Sequence, residues 1–237
     1  MPIGIDVRDP DVPAAAVDRC FAWLRHVDAT FSTYRDDSEI RRIDRGDLAL
    51  VDARPEVRDV LGRCEELRDE TGGYFDARFG GALDPSGLVK GWSVDGAAAL
   101  LLDAGARNFS VNAGGDVRVR GTARPGEPWR IGIQHPRARD RVAVVLAAED
   151  LAIATSGAYE RGEHIVDPHT GRPPSGVLAV TIVGPDLATA DAYATAAFAM
   201  GADGPRWTAR LHGYEAMTIL ADDTVLTTPG LARFRQS

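Results

Sequence analysis

Lysine is almost missing from this chain: of 27 lysine and arginine residues, only Lys90 is a lysine. A compact ammonium kept where arginine fills every other cationic position marks a candidate site, against chance survival on a neutral surface. Cysteine is equally scarce. Cys20 and Cys64 are the only two; both fall on apolar helix faces and are read as core thiols rather than a disulfide. No Cys/His cluster has zinc spacing. No apolar run approaches 20 residues, which excludes a transmembrane helix and membrane insertion. The opening Met1-Pro2-Ile3-Gly4-Ile5-Asp6 lacks a basic and then an apolar signal region, so a cytoplasmic location is expected. Positive charge is short as well. Against the 27 basic residues stand 35 acidic ones, for a net charge of −8, which argues against nucleic acid as a partner. A small phosphorylated ligand held by backbone N–H groups or a metal remains open.

What is present is globular in composition, with 44% hydrophobic and 26% charged residues over 237 positions. No linker or repeat divides the chain, so residues 1–237 are read as a single domain. Apolar residues at Val17, Cys20, Phe21, Leu24, Val27 and Phe31 predict a helix over 12–31. Val57, Val60, Leu61, Cys64 and Leu67 predict another over 55–71, stopped by Gly72-Gly73. A third helix is expected from about 91 to 103. Short strands follow at 109–112, 116–121, 129–134, 142–147, 151–154 and 177–183. An Ala-rich helix at 187–200, a short helix at 205–211 and a hairpin from 215–220 and 224–227 close the chain. Helices first, then hairpins, then a helix and a hairpin read as α+β, with mixed or antiparallel sheets packed against helices.

Four segments carry polar residues that turns alone do not explain. In Asp84-Pro85-Ser86-Gly87-Leu88-Val89-Lys90-Gly91-Trp92, two glycines bracket the lone lysine at an expected helix start. That setting suits an anion, or is an ordinary strand–turn–helix. In Asn112-Ala113-Gly114-Gly115-Asp116, the glycine pair permits either a tight hairpin or a close approach of backbone to ligand. In Thr155-Ser156-Gly157 and His164-Ile165-Val166-Asp167-Pro168-His169, His164 is a candidate base or a satisfied core histidine. Asp167 either orients it or closes a turn. In Asp191-Ala192-Tyr193-Ala194-Thr195, a carboxylate and a hydroxyl share one face of an apolar helix. They suit Mg²⁺, or the aspartate pairs with an arginine.

Together with Phe31-Ser32-Thr33-Tyr34 and Phe75-Asp76, these motifs run in order from about residue 28 to 200 and resemble the ApbE family, the FAD:protein FMN transferases. The resemblance implies a Mg²⁺-dependent transferase. Such an enzyme splits the pyrophosphate of FAD, attaches FMN to a Thr or Ser hydroxyl of an acceptor protein and releases AMP. It implies His164 as the base on the acceptor hydroxyl. Tyr34, Asp76, Ala77, Arg78, Lys90, Gly114, Gly115 and Ile165 would contact FAD. Asp191, Thr195 and the Ser93 carbonyl would hold the metal. Alternatives from other classes are a FAD pyrophosphatase, with water as acceptor, and a non-catalytic flavin-binding protein. The sequence departs from its relatives in a first strand that is shortened or altered, and in lacking the longer insertion after Phe75-Asp76.

Overall fold

The computed structural model describes residues 1–157 and 165–234. Its chain order is β1 (Ile3–Val7), α1 (Ala14–Phe31), α2 (Glu39–Asp44), α3 (Pro55–Glu70), α4 (Ser86–Asp103), β2 (Phe109–Ala113), β3 (Asp116–Arg120), β4 (Trp129–His135), β5 (Ala138–Ala148), β6 (Ala152–Gly157), β7 (Val177–Gly184), α5 (Leu187–Ala199), α6 (Gly204–Thr208), β8 (Glu215–Leu220) and β9 (Val225–Thr227). Seven strands form one antiparallel sheet in the order β1-β2-β3-β6-β7-β8-β9, and β4 pairs with β5 separately. The α+β architecture is the one the element order predicts.

Period-two alternation assigns each strand residue to one of two cores. Phe109, Val111, Ala152, Ala154, Val180 and Ile182 pack with Cys20, Val94 and Leu101 of the helices. Their neighbours Val117, Val119, Ile153, Val183 and Ile219 face the other way, against Trp129, Ile133 and Leu146 of the β4–β5 hairpin. A third cluster joins Phe31, Ile40, Val57 and Leu67 to Leu88 and to Ala192 and Ala196 of α5. Cys20 and Cys64 are free thiols inside these cores. Burial pushes the Cys64 thiol up to about 12, so it is an inert core group at neutral pH. Among the described residues, no helix is long and apolar enough to cross a membrane.

Three elements differ from expectation. The first strand, expected to be altered, forms and pairs along β2 from Ile3 opposite Ala113 to Val7 opposite Phe109. Helix α2 was not expected. Its start is made by Ser38, whose hydroxyl accepts the Arg41 N–H and donates to the Ser32 carbonyl. Helix α4 begins at Ser86 rather than near residue 91, so Gly87, Lys90 and Gly91 are helical. Glycine inside a helix costs about 1 kcal/mol, and packing explains its use here. A Cβ on Gly91 would lie 2.3 Å from the Leu187 carbonyl oxygen, so its absence lets α4 cross α5 almost in backbone contact.

Candidate active site

That crossing organises the polar centre of the molecule. The start of α5 is secured by two carboxylates: Asp186 accepts the Thr189 N–H, and Asp95 of α4 accepts the N–H groups of Leu187 and Ala188, each at 2.8 Å. One turn further on lies Asp191, 2% exposed. Its Oδ2 accepts the Gly91 N–H at 3.2 Å, and its Oδ1 is 3.4 Å from Lys90 Nζ. The same ammonium is 2.5 Å from Oδ2 of Asp116, at the start of β3. Asp116 Oδ1 accepts the Thr155 N–H at 3.0 Å, tying β3 to the end of β6. Next on that strand, Ser156 Oγ lies 3.4 Å from Thr195 Oγ1, a long contact that leaves the threonine oxygen open to a better partner. Burial raises the Asp191 carboxyl well above the usual carboxylate range. The Lys90 charge draws it back and the Asp116 charge pushes it up again.

Lys90, Thr155, Ser156, Asp191 and Thr195 form one side of a cleft of about 800 Å³, with Asp116 behind the lysine. Its other walls carry the rings of Phe21 and Phe31 of α1 and of Tyr74, Phe75 and Phe79 of the loop before α4, interleaved with polar residues such as Arg25, Asp28 and Asp84. Lys90, Ser93, Asp191 and Thr195 reach this cleft, as do Tyr34, Asp76, Ala77 and Ile165. Tyr34 stands at the rim, 92% exposed. Ala77 is buried, and Asp76 accepts the Arg78 N–H at 2.8 Å.

Other expected site residues are used differently. Arg78 is exposed and does not line the cleft. Gly114 and Gly115, with φ of 60° and 99°, make the two-residue turn joining β2 to β3. They do not line the cleft, because Met1 stands there instead, 3.2 Å from where a Gly114 Cβ would be. The Ser93 carbonyl accepts the indole N–H of Trp23 at 2.9 Å, which turns it toward α1. Its hydroxyl donates to the Lys90 carbonyl. Asp167 closes its own turn, accepting the His169 N–H and the Thr170 hydroxyl. His164 lies outside the described residues. Among the described contacts Asp191 pairs with the lone lysine and not with an arginine.

Asp116 and Gly87 were missed. Asp116 had a signal: it opens a strand with Val117 and Val119 on its other face, directly after a glycine pair. Gly87, in the first turn of α4, packs its backbone against Phe75 and Thr195, where a Cβ would be 3.6 Å from Thr195 Oγ1.

The sequence pattern of the ApbE family matches residues 2–82 and 77–218, nearly the whole chain. The chain belongs to the ApbE family. A Vibrio cholerae protein named FAD:protein FMN transferase is 41% identical over 129 residues, covering 50% of this chain and 39% of that protein. A Rhodobacter capsulatus protein of the same name is 31% identical over 217 residues, covering 88% of this chain and again 39% of that protein. The chain thus spans about two fifths of the length of these ApbE relatives. The solved Vibrio cholerae flavin transferase ApbE superposes with a TM-score of 0.86 at 25% identity, covering 98% of this chain and 95% of that one. An ApbE protein from Thermotoga maritima shares the fold with a TM-score of 0.89 at 24% identity, covering 99% and 96%.

Proposed function

We propose that this chain is a Mg²⁺-dependent FAD:protein FMN transferase that attaches FMN to a Thr or Ser hydroxyl of an acceptor protein and releases AMP. One observation carries the reading: the buried Asp191 carboxylate and Thr195, one turn apart on α5, line the same wall of an aromatic-rich cleft as the only lysine. At about 800 Å³ the cleft falls within the roughly 300–1,000 Å³ of small-molecule sites, toward the end that suits a dinucleotide. The names of the relatives support the same substrate.

The donor set fits Mg²⁺. Among the described residues no three His, Cys, Asp or Glu side chains cluster as a metal cage. One carboxylate and one hydroxyl, both hard oxygens, suit a cation that keeps water and takes the rest of its shell from substrate phosphate. When bound, the cation supplies neutralisation of the charge that builds on the pyrophosphate. The chain's own residues do the remainder. Aromatic walls exclude water from the flavin and the adenine. Lys90, 19% exposed at its side chain, offers its ammonium to the phosphates. His164 takes the proton of the acceptor hydroxyl as that oxygen bonds to the FMN-side phosphorus. The bond to the AMP oxygen breaks, and AMP leaves with the electron pair. The Ser93 carbonyl, which accepts the Trp23 indole N–H, has a second lone pair with which it would complete the cation's shell.

Incubation of the chain with FAD, Mg²⁺ and a threonine-bearing acceptor should yield a fluorescent acceptor band on a denaturing gel. Asp191→Asn should abolish it. Free FMN and AMP with no labelled acceptor would establish the pyrophosphatase instead, and intact FAD would leave only a flavin-binding protein.

A further inference from the structure

Asp116 has no exposed surface and is the most deeply buried carboxylate among the described residues. The mechanism above does not use it. It opens β3, which presents Val117 and Val119 to the hairpin core and turns Asp116 and Arg118 toward the helices. Arg118 is occupied with Asp95 and the Pro185 carbonyl. Asp116 instead grips Lys90 at 2.5 Å, nearer than the 3.4 Å that separates the same ammonium from Asp191. Its other oxygen is fixed by the Thr155 N–H, so the carboxylate cannot swing without breaking a buried hydrogen bond. An ammonium on a flexible stem with two carboxylates in reach settles on the one that offers the better contact.

We infer that Asp116 is a positioning residue that draws the Lys90 ammonium nearer to itself than to Asp191 and so leaves the Asp191 carboxylate more open to a divalent cation. The inference rests on the proposed metal role of Asp191. Without the Asp116 charge, Lys90 closes on Asp191 and competes with the metal for it. The arrangement also suits a lysine: a guanidinium would engage both carboxylates through its fork and compete more strongly with the cation for Asp191.

The test uses Mn²⁺ alone, whose free form is counted by electron paramagnetic resonance, added to the purified chain without FAD. Asp116→Asn keeps the volume and the acceptor for the Thr155 N–H while removing the charge. It should bind Mn²⁺ about tenfold or more weakly than wild type, as expected for a unit charge lost this close to the site. Adding Lys90→Met to Asp116→Asn removes the competitor and should restore affinity toward wild type. Additive charge effects predict the same gain from Lys90→Met in wild type; the inference predicts a larger gain in the Asp116→Asn background, where the ammonium is free to close on Asp191, and equal gains overturn it. Equal affinity of Asp116→Asn and wild type, or a folded double variant with no recovery, overturns the inference. If Asp116→Asn does not fold by circular dichroism, Lys90→Arg decides, because it keeps the charge and changes only the reach: Mn²⁺ binding about tenfold or more weaker supports the inference and unchanged binding overturns it. Failure of the metal reading looks different, since Asp191→Asn would then bind as wild type does. Absence of Mn²⁺ binding by the folded wild type overturns both.

Discussion

Replacing Gly91 with alanine should destabilise the protein, although the same change at Gly62, in the middle of α3, should stabilise it. Both glycines are helical, so each alanine gains up to about 1 kcal/mol of helix propensity. At Gly62 nothing lies within 4 Å of the added carbon, and the gain is realised in full, about 0.5–1 kcal/mol. At Gly91 the new Cβ meets the Leu187 carbonyl oxygen at 2.3 Å, its carbon at 2.6 Å and Ala188 Cα at 2.8 Å. These are backbone atoms at the capped start of α5, held by Asp95 and Asp186, so no rotamer change relieves the overlap. Overpacking of a core costs about 1–3 kcal/mol, and a clash with fixed backbone belongs in the upper half of that range. Net of propensity, Gly91→Ala should lose about 1–2 kcal/mol. For a chain of this size that lowers Tm by roughly 2–8 °C, with Gly62→Ala raised by about 2 °C. Ordinary contact distance also requires the helices to part by about 1 Å, which moves the Gly91 N–H from Asp191. Thermal unfolding followed by circular dichroism, with urea titrations at one pH, measures both variants. A Gly91→Ala protein that melts at or above wild type would refute the account of the α4–α5 crossing.

Three other outcomes can be checked independently. Burial raises the Asp95 carboxyl from 3.8 to about 6, against the lowering effect of the Ala188 N–H and Arg118. The folded state therefore holds a proton that the unfolded chain releases, and this stabilisation is complete below about pH 4 and lost as pH rises through about 6. Asp95→Asn removes that dependence, so wild-type stability relative to the variant should fall by on the order of 2 kcal/mol between about pH 4 and about pH 7 in urea titrations; a constant difference would sink the assignment. His164→Ala should keep FAD binding, lose roughly 10²–10⁴-fold in FMN transfer and lose the rising limb of the pH–rate profile. Transfer at the wild-type rate under saturating FAD and acceptor would remove His164 from the chemistry. Lys90→Arg should bind FAD more weakly or turn over more slowly, because the wider guanidinium must fit between two buried carboxylates; wild-type kinetics would reduce Lys90 to a chance survivor.

The site was partly legible before the fold because some of its logic is local. Asp191 and Thr195 are four residues apart on an Ala-rich helix, and that spacing alone puts both on one face. The scarcity of lysine singled out Lys90 with no structural information. By contrast, Ser93, Gly114 and Gly115 sit in the right motifs, yet their neighbours decide what they do. Trp23, 70 positions away, takes the Ser93 carbonyl. Met1, just ahead of the strand that pairs with β2, covers Gly114.

Periodicity, composition and turn residues determined the order and kind of most elements, since helix and strand patterns are properties of a dozen adjacent residues. They also determined the α+β class of the fold. Only tertiary structure decided which polar residues are buried. The alternation of valine and charge along β3 is what an amphipathic strand with one wet face would have. In the folded protein both faces are covered, and the polar one meets charges of the opposite sign at Lys90 and Asp95. Those pairings join residues that are tens of positions apart in sequence. Their partners are chosen by how closely α4 can approach α5 and the sheet, a distance set at Gly91 by the absence of a single carbon.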